Sequence, residues 1–334
     1  DAFIDTRATW TLRGLGGTAV SVYGEHTLFG AVQWEVARSP TGALAGAAMW
    51  TNEKPKQRTI AGARWIAADY RAPYGATLTD ASTVANEAGV TIGTSWRGAW
   101  GRLDGVIDVR QSLTRTTFVP AIVRGATADV QYEQTLWRLG SIGARILYES
   151  ETDGVRGADS SRTVAAERQK LRLRANAAMR LSVPLTVTVR ADVVGVQWSA
   201  VHTRQIGMAA QLGVRYNQQR WGAAVQWTTY NSPTADAAPY VGESAVPGVL
   251  RSIALVGSGV RMLLRMRWQA LSWCSITAAY VEARRTDVAT LGSGWDALEG
   301  SIDRRVMLNI GVRFRSTLEP RFGSVDDDAA LWLE

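Results

Sequence analysis

Cysteine is almost missing from this chain: Cys274 stands alone among 334 residues, so neither an intramolecular disulfide nor a cysteine metal cluster can form. Histidine is scarce, with only His26 and His202, far apart in sequence. Lysine occurs only at positions 54, 56 and 170, so the cationic residues are almost all arginine. Arginine keeps its charge in semi-enclosed sites and pairs in forked geometry with carboxylates, although a GC-rich genome gives the same bias. No run of about 18 apolar residues is present, which excludes an ordinary transmembrane helix. No charged n-region and apolar h-region follow Asp1, and the expectation is a mature chain, an excised domain or a cytosolic protein. A one-signed charge run is also lacking: the net charge of +7 is the difference between 37 basic and 30 acidic residues.

What the chain does have is a period of two. In KLRLRANAAMRL, Leu171, Leu173, Ala175, Ala177, Met179 and Leu181 alternate with Lys170, Arg172, Arg174, Asn176 and Arg180. Successive Cβ atoms of a strand point to opposite sides, so this segment is a strand with one apolar and one cationic face. The pattern recurs over 185–193, 206–216, 221–228, 260–268 and 305–315. Some links are tight (182–184, 217–220, 270–272), and others are long and rich in Gly, Ser, Asp and Pro (72–88, 150–165, 231–257, 286–302). No long amphipathic helix is legible. The reading is an all-β chain of antiparallel hairpins with roughly 14–16 strands. It has no internal domain boundary, with a β-barrel over 1–315 and an acidic tail over 316–334.

Alternation alone does not say what each face meets. In a soluble sandwich the apolar face packs inward, and in a transmembrane barrel it meets lipid while the polar face lines the lumen. Three features favour the membrane. Strand-like runs reach the roughly 9–11 residues that cross a bilayer, where sandwich strands average nearer 5–6. Trp10, Trp34, Trp50, Trp96, Trp137, Trp198, Trp221, Trp227, Trp268 and Trp273 fall mostly near strand ends, as an aromatic girdle requires. The opposite face carries both signs of charge: Arg102, Asp104, Asp108, Arg172, Arg174, Arg190, Asp192, Arg215, Arg261, Arg265 and Arg267 are the expected lumen-lining residues. A solvated sandwich face also carries mixed charge, so the soluble alternative stays open here.

Four segments resemble the outer-membrane barrel regions of helix-hairpin-helix, competence-like proteins of Bacteroidota and related bacteria. They are Asn86-Glu87-Ala88-Gly89; LDGVID over 103–108; the stretch from Tyr230-Asn231-Ser232 through Tyr240, Glu243 and Pro247-Gly248-Val249 to Gly257-Ser258-Gly259; and LGSGWDALEG over 291–300. The resemblance spans roughly 70–315 and implies an outer-membrane barrel attached to a DNA-binding module. Two departures matter: no paired short helices around a Gly-hydrophobic-Gly hairpin are legible, and the chain runs some twenty residues past Phe314. The first removes the direct warrant for DNA binding, and the second puts the usual C-terminal assembly signal in doubt.

Catalytic and metal sites are poorly supported. A hydrolytic centre needs a nucleophile oriented by a base, and Ser199, His202 and Thr203 lie together at a spacing that arises by chance. His26 reads as a turn residue, and Gly14-Leu15-Gly16-Gly17 lacks the Lys-Ser/Thr of a phosphate loop. Glu149, Glu151, Asp153 and Asp159, or Asp326 to Asp328, lack EF-hand spacing and read as solvated loop acids. The arginine face has two readings: ion pairs that brace a narrow barrel, favoured by the acids on the same face, or an electropositive passage for anions or nucleic-acid backbone. The expectation is therefore a non-enzymatic, porin-like barrel of a bacterial outer membrane that uses no cofactor and acts as a passage or docking component, linked by the resemblance alone to DNA uptake or binding. Its partners are membrane lipid and, by resemblance only, nucleic acid or another envelope protein. A plugged anchoring barrel and an outer-membrane lipid hydrolase using His202 are the alternatives.

Overall fold

Alternating apolar residues bounded by Gly, Pro and Asn make strands. The computed structural model has no helix among its described residues, which are 3–5, 10–12, 17–27, 29–39, 41–70, 86–115, 121–136, 139–156, 163–199, 204–291 and 298–312. The strands of the first half are β1 (Phe3–Asp5), β2 (Trp10–Leu12), β3 (Gly17–Thr27), β4 (Ala31–Arg38), β5 (Leu44–Lys54), β6 (Gln57–Ile66), β7 (Glu87–Gly98), β8 (Gly101–Ser112), β9 (Arg124–Leu136) and β10 (Gly140–Arg156). The second half holds β11 (Thr163–Ser182), β12 (Leu185–Trp198), β13 (Arg204–Asn217), β14 (Trp221–Ser232), β15 (Tyr240–Glu243), β16 (Arg251–Ala254), β17 (Gly257–Leu271), β18 (Cys274–Arg285), β19 (Thr290–Leu291), β20 (Leu298–Glu299) and β21 (Ile302–Val312).

Seventeen strands form one antiparallel sheet in which consecutive strands pair, and β15–β16 and β19–β20 are separate two-stranded hairpins inserted into its connections. Both β1 and β2 pair with β3, through Phe3↔Glu25 and Trp10↔Ala19, as two pieces of one interrupted strand. Counting them once turns seventeen into sixteen, within the expected range. The chain falls into two compact units, Asp1–Gln134 with Arg145–Arg172 and Val196–Arg204, and Thr135–Ala144 with Leu173–Gly195 and Gln205–Glu334.

Burial is inverted relative to a water-soluble protein, whose charged residues are almost never fully buried. Val90, Ile92, Ile107 (58% exposed), Leu173, Met208, Met266 and Leu308 face outward, whereas Arg64, Glu87, Lys170, Asp192, Glu243 and Arg261 are buried. A sandwich would bury the first set, so the sandwich alternative is set aside. The architecture is the all-β, antiparallel, inside-out sheet of an outer-membrane-type β-barrel. Trp50, Trp96, Trp221 and Trp268 lie toward the tight-turn ends of their strands. Trp221 and Trp268 are paired across β14 and β17 and stack at 5.5 Å, an aromatic arrangement suited to a head-group boundary.

Two local expectations are corrected. The stretch 150–165 is not wholly loop: β10 continues to Arg156 and β11 starts at Thr163, making strands of 17 and 20 residues. Loop-like acids extend these strands because arginines on adjacent strands answer them. His26 is not in a turn but in β3, paired with Val32. His202, Asp159, residues 13–16 and the acidic tail lie outside the described residues, as does most of 291–300.

Candidate functional site

The inward charges are organised by what lies between them. In the first unit one row crosses four strands as Arg64↔Gly89↔Arg110↔Gly125. A Cβ on Gly89 would stand 2.8 Å from the Arg64 guanidinium, and one on Gly125 3.0 Å from Arg110. Each glycine therefore lets an arginine lie flat across its strand. Arg64 Nε donates to Glu87 Oε1 at 2.6 Å, and its Nη1 and Nη2 donate to the two Asp108 oxygens at 2.6 and 3.0 Å. Thr91 adds its hydroxyl to Asp108. The side chains of Arg64 and Glu87 are only 6% and 9% exposed, so this forked arrangement must satisfy both charges.

The ladder continues toward the long-loop ends. Arg110 lies 3.5 Å from Asp108 and 3.8 Å from Glu151. Arg168 reaches Glu151 at 3.2 Å and Asp153 at 3.7 Å, and its guanidinium lies 5.8 Å from the centre of the Trp198 ring. Arg172 pairs with Glu149, Arg145 with Asp129, and Arg102 with Asp104. Glu149, Glu151 and Asp153, read from sequence as solvated loop acids, are thus ion-pair partners. Among the described residues no group of three or more His, Cys, Asp and Glu is placed to hold a metal.

The second unit is built differently. Arg174 and Arg190 converge on Asp192 at 2.8 and 2.6 Å, and Arg190 Nη2 also donates to the Tyr240 carbonyl at 2.7 Å. Tyr240 opens the β15–β16 hairpin, which the sequence presented only as a long loop. The segment folds back onto the inward face of β13, β14, β17 and β18. Glu243 accepts a buried fork from Arg261, including Nη2 to Oε2 at 2.8 Å, and Arg265 Nη1 donates to the Ser244 carbonyl at 3.1 Å. Its apolar residues form two small cores: Val241 and Leu255 with Ala209, and Ala245 and Val246 with Leu263, Ala279 and Val281. A Cβ on Gly207 would collide with the Ala237 carbonyl, so the strand must be bare where the loop backbone crosses it.

The eleven residues expected on the polar face fall into distinct groups. Asp108 belongs to the Arg64 cluster, while Arg102 and Asp104 pair nearer the tight turn of β8. Arg172 and Arg174 reach across to Glu149 and Asp192 on neighbouring strands, Arg190 pairs with Asp192 along its own strand, and Arg261 holds the loop. Arg215, Arg265 and Arg267 line a cavity of about 310 Å³ in the second unit. Sequence reasoning missed Arg64, Glu87 and Arg110, and it missed Glu243 and Leu263 at the loop. The available signal was the resembling segments: Glu87 and Gly89 of the first and Asp108 of the second meet at Arg64, and Glu243 of the third meets Arg261. Just past β18, Asp287 accepts a fork at 3.1 and 2.7 Å from the guanidinium of Arg285, the last residue of that strand, which holds its carboxyl below the usual range.

No family model matches the chain, and no curated protein matches it. In-vitro folded OmpT, an outer membrane protein of Vibrio cholerae, is similar with 11% identity over 93% of this chain and 93% of its own, at a TM-score of 0.40. A loop L8 deletion mutant of OmpT is similar with 10% identity over 93% and 94%, at 0.40. The siderophore receptor PirA from Acinetobacter baumannii matches with 7% identity over 94% of this chain and 73% of its own, at 0.33. At TM-scores this low the likeness carries no functional argument, and the fold rests on strand pairing and inverted burial.

Proposed function

We propose that this chain is a non-enzymatic β-barrel of a bacterial outer membrane, its apolar face toward lipid and its arginine face lining a passage for small anionic solutes. The observation that carries this reading is the inverted burial: exposed Val, Ile, Leu and Met on one side, paired Arg and acid on the other. A bilayer stabilises the first face, and water in a lumen solvates whatever charge the second leaves unpaired. Three arginines line the cavity beside the folded-back loop, a composition that favours anions there.

Refolding in detergent tests the membrane part: the unboiled protein should migrate faster than the boiled protein on an SDS gel. Planar-bilayer recordings under a salt gradient test the passage, with a reversal potential on the anion side expected. Correctly folded protein without channels would sink the passage and leave the second reading, a plugged anchoring barrel. That reading is favoured by the two small apolar cores with which the loop covers the inward face. A link to DNA uptake, through a module outside this sequence, rests on the resemblance alone.

A further inference from the structure

The outward face of β17, β18 and β21 is apolar along most of its length and charged toward one end. Lateral partners in a sheet share a face, so Glu282 of β18, flanked by Met262 of β17 and Arg304 of β21, points outward with Met266 and Leu308. On the same face Arg284 lies between Val260 and Ile302, and Tyr280 between Leu264 and Val306. Arg304 Nε donates to Glu282 Oε2 at 3.0 Å, the Tyr280 hydroxyl donates to the same oxygen at 2.6 Å, and Arg284 Nη2 lies 3.5 Å from Oε1. The Glu282 side chain is 20% exposed, whereas those of Arg284 and Arg304 are 57% and 59% exposed. One carboxylate therefore anchors two guanidiniums against the sheet, and the cluster keeps a surplus positive charge on the face that meets lipid. A cation there is costly at mid-bilayer and tolerated near the interface. Arg284 and Arg304 stand close to the long-connection ends of their strands, at head-group depth, with Val306, Leu308 and Ile310 following toward the apolar middle. A lipid phosphate at that depth would neutralise the surplus through charge-assisted hydrogen bonds from the guanidiniums. A zwitterionic head group brings a cation of its own and would leave the surplus standing.

We propose that the Arg284–Glu282–Arg304 cluster is a binding site for one anionic phospholipid, with its phosphate between the two guanidiniums and its acyl chains along Leu264, Val306 and Leu308. The proposal rests on the outward face meeting lipid, as read above, and is independent of whether the lumen conducts.

Native mass spectrometry of the full chain refolded in detergent tests it, by titration with dimyristoyl phosphatidylglycerol or dimyristoyl phosphatidylcholine. The first phosphatidylglycerol adduct should form about 5-fold more tightly than the first phosphatidylcholine adduct, the preference expected of one arginine near a membrane surface. Arg284→Gln and Arg304→Gln, both at exposed positions, should each remove that preference. Glu282→Gln should strengthen it, because the competing carboxylate is gone while both cations stay. Arg38→Gln, on the outward face of β4 beside Val20, removes the same charge elsewhere and should leave the preference intact. Equal affinity for the two lipids would overturn the site, as would a preference that survives both arginine substitutions. A preference lost equally in Arg38→Gln would reduce it to general charge, and displacement by equimolar inorganic phosphate would make the ligand a free anion and not a lipid. The heat shift of the same preparations separates this proposal from the reading beneath it: heat-modifiable protein without the preference strikes the site alone, and protein with no heat shift strikes the membrane facing itself.

Discussion

Around Arg64 both acids, Glu87 and Asp108, sit on β7 and β8, strands fixed by pairing on both sides; around Arg261 the acid, Glu243, sits on a hairpin inserted between β14 and β17. The same forked chemistry therefore has two mechanical consequences. A carboxylate on a wall strand braces the sheet and cannot leave without breaking it. A carboxylate on a loop decides where the loop rests, and the sheet survives its departure. Breaking each arginine in turn is the sharpest test. Arg64→Met strands the buried carboxylate of Glu87 and removes the fork from Asp108, an expected loss of about 3–5 kcal/mol in detergent denaturation. Arg261→Met leaves Glu243 free to swing out with its hairpin, at an expected cost of about 1–2 kcal/mol for lost contacts. Its main signature should be noisier single-channel current. Equal costs for the two variants would erase the distinction between brace and latch.

The facing of the strands underlies both regions and is tested next. Leu173 points outward from β11, and Leu173→Arg should cost about 2–4 kcal/mol near mid-bilayer. Arg174→Leu should cost less, because Asp192 keeps its second partner, Arg190, at 2.6 Å. Refolding yield into vesicles measures both, and equal yields would mean the faces are wrongly assigned. The two bare positions give a finer comparison. Gly89→Ala pushes on the Arg64 guanidinium, and overpacking there should cost about 1–3 kcal/mol of barrel stability. Gly207→Ala pushes on the loop backbone at Ala237 and should lift the loop, raising mean conductance with little change in stability.

Side-chain facing was legible in the sequence because a period of two is set by backbone geometry and survives any tertiary context. Leu171, Leu173, Met179 and Leu181 lie outward as the opening pattern required. Two things were not legible. Leu263, Ala279 and Val281 face inward yet are apolar, because the folded-back loop that precedes β17 covers them, and no local period records that. Acids at 149–153 have the composition of a loop, and only the arginines across the sheet make them strand residues. The site was half visible for the same reason: arginines on regular strands were found, but their partners required register.

Asp287 gives the smallest expected effect and the cleanest sign. It lies just past β18, where Arg285 grips it while the Thr286 amide donates to the Ser258 carbonyl at 2.8 Å, closing the end of β17 against the end of β18. Hydrogen bonding to Arg285 depresses the folded pKa below an unfolded aspartate value of about 3.9. A depressed carboxylate stabilises the folded form above that unfolded value, and the contribution is lost as pH falls through the folded pKa. The Thr286 amide should therefore keep a constant hydrogen-exchange protection factor from neutral pH down to about pH 4 and lose protection only below it. The change should be small, since exposed ion pairs contribute little. Asp287→Asn should begin with the lower protection and show no further step.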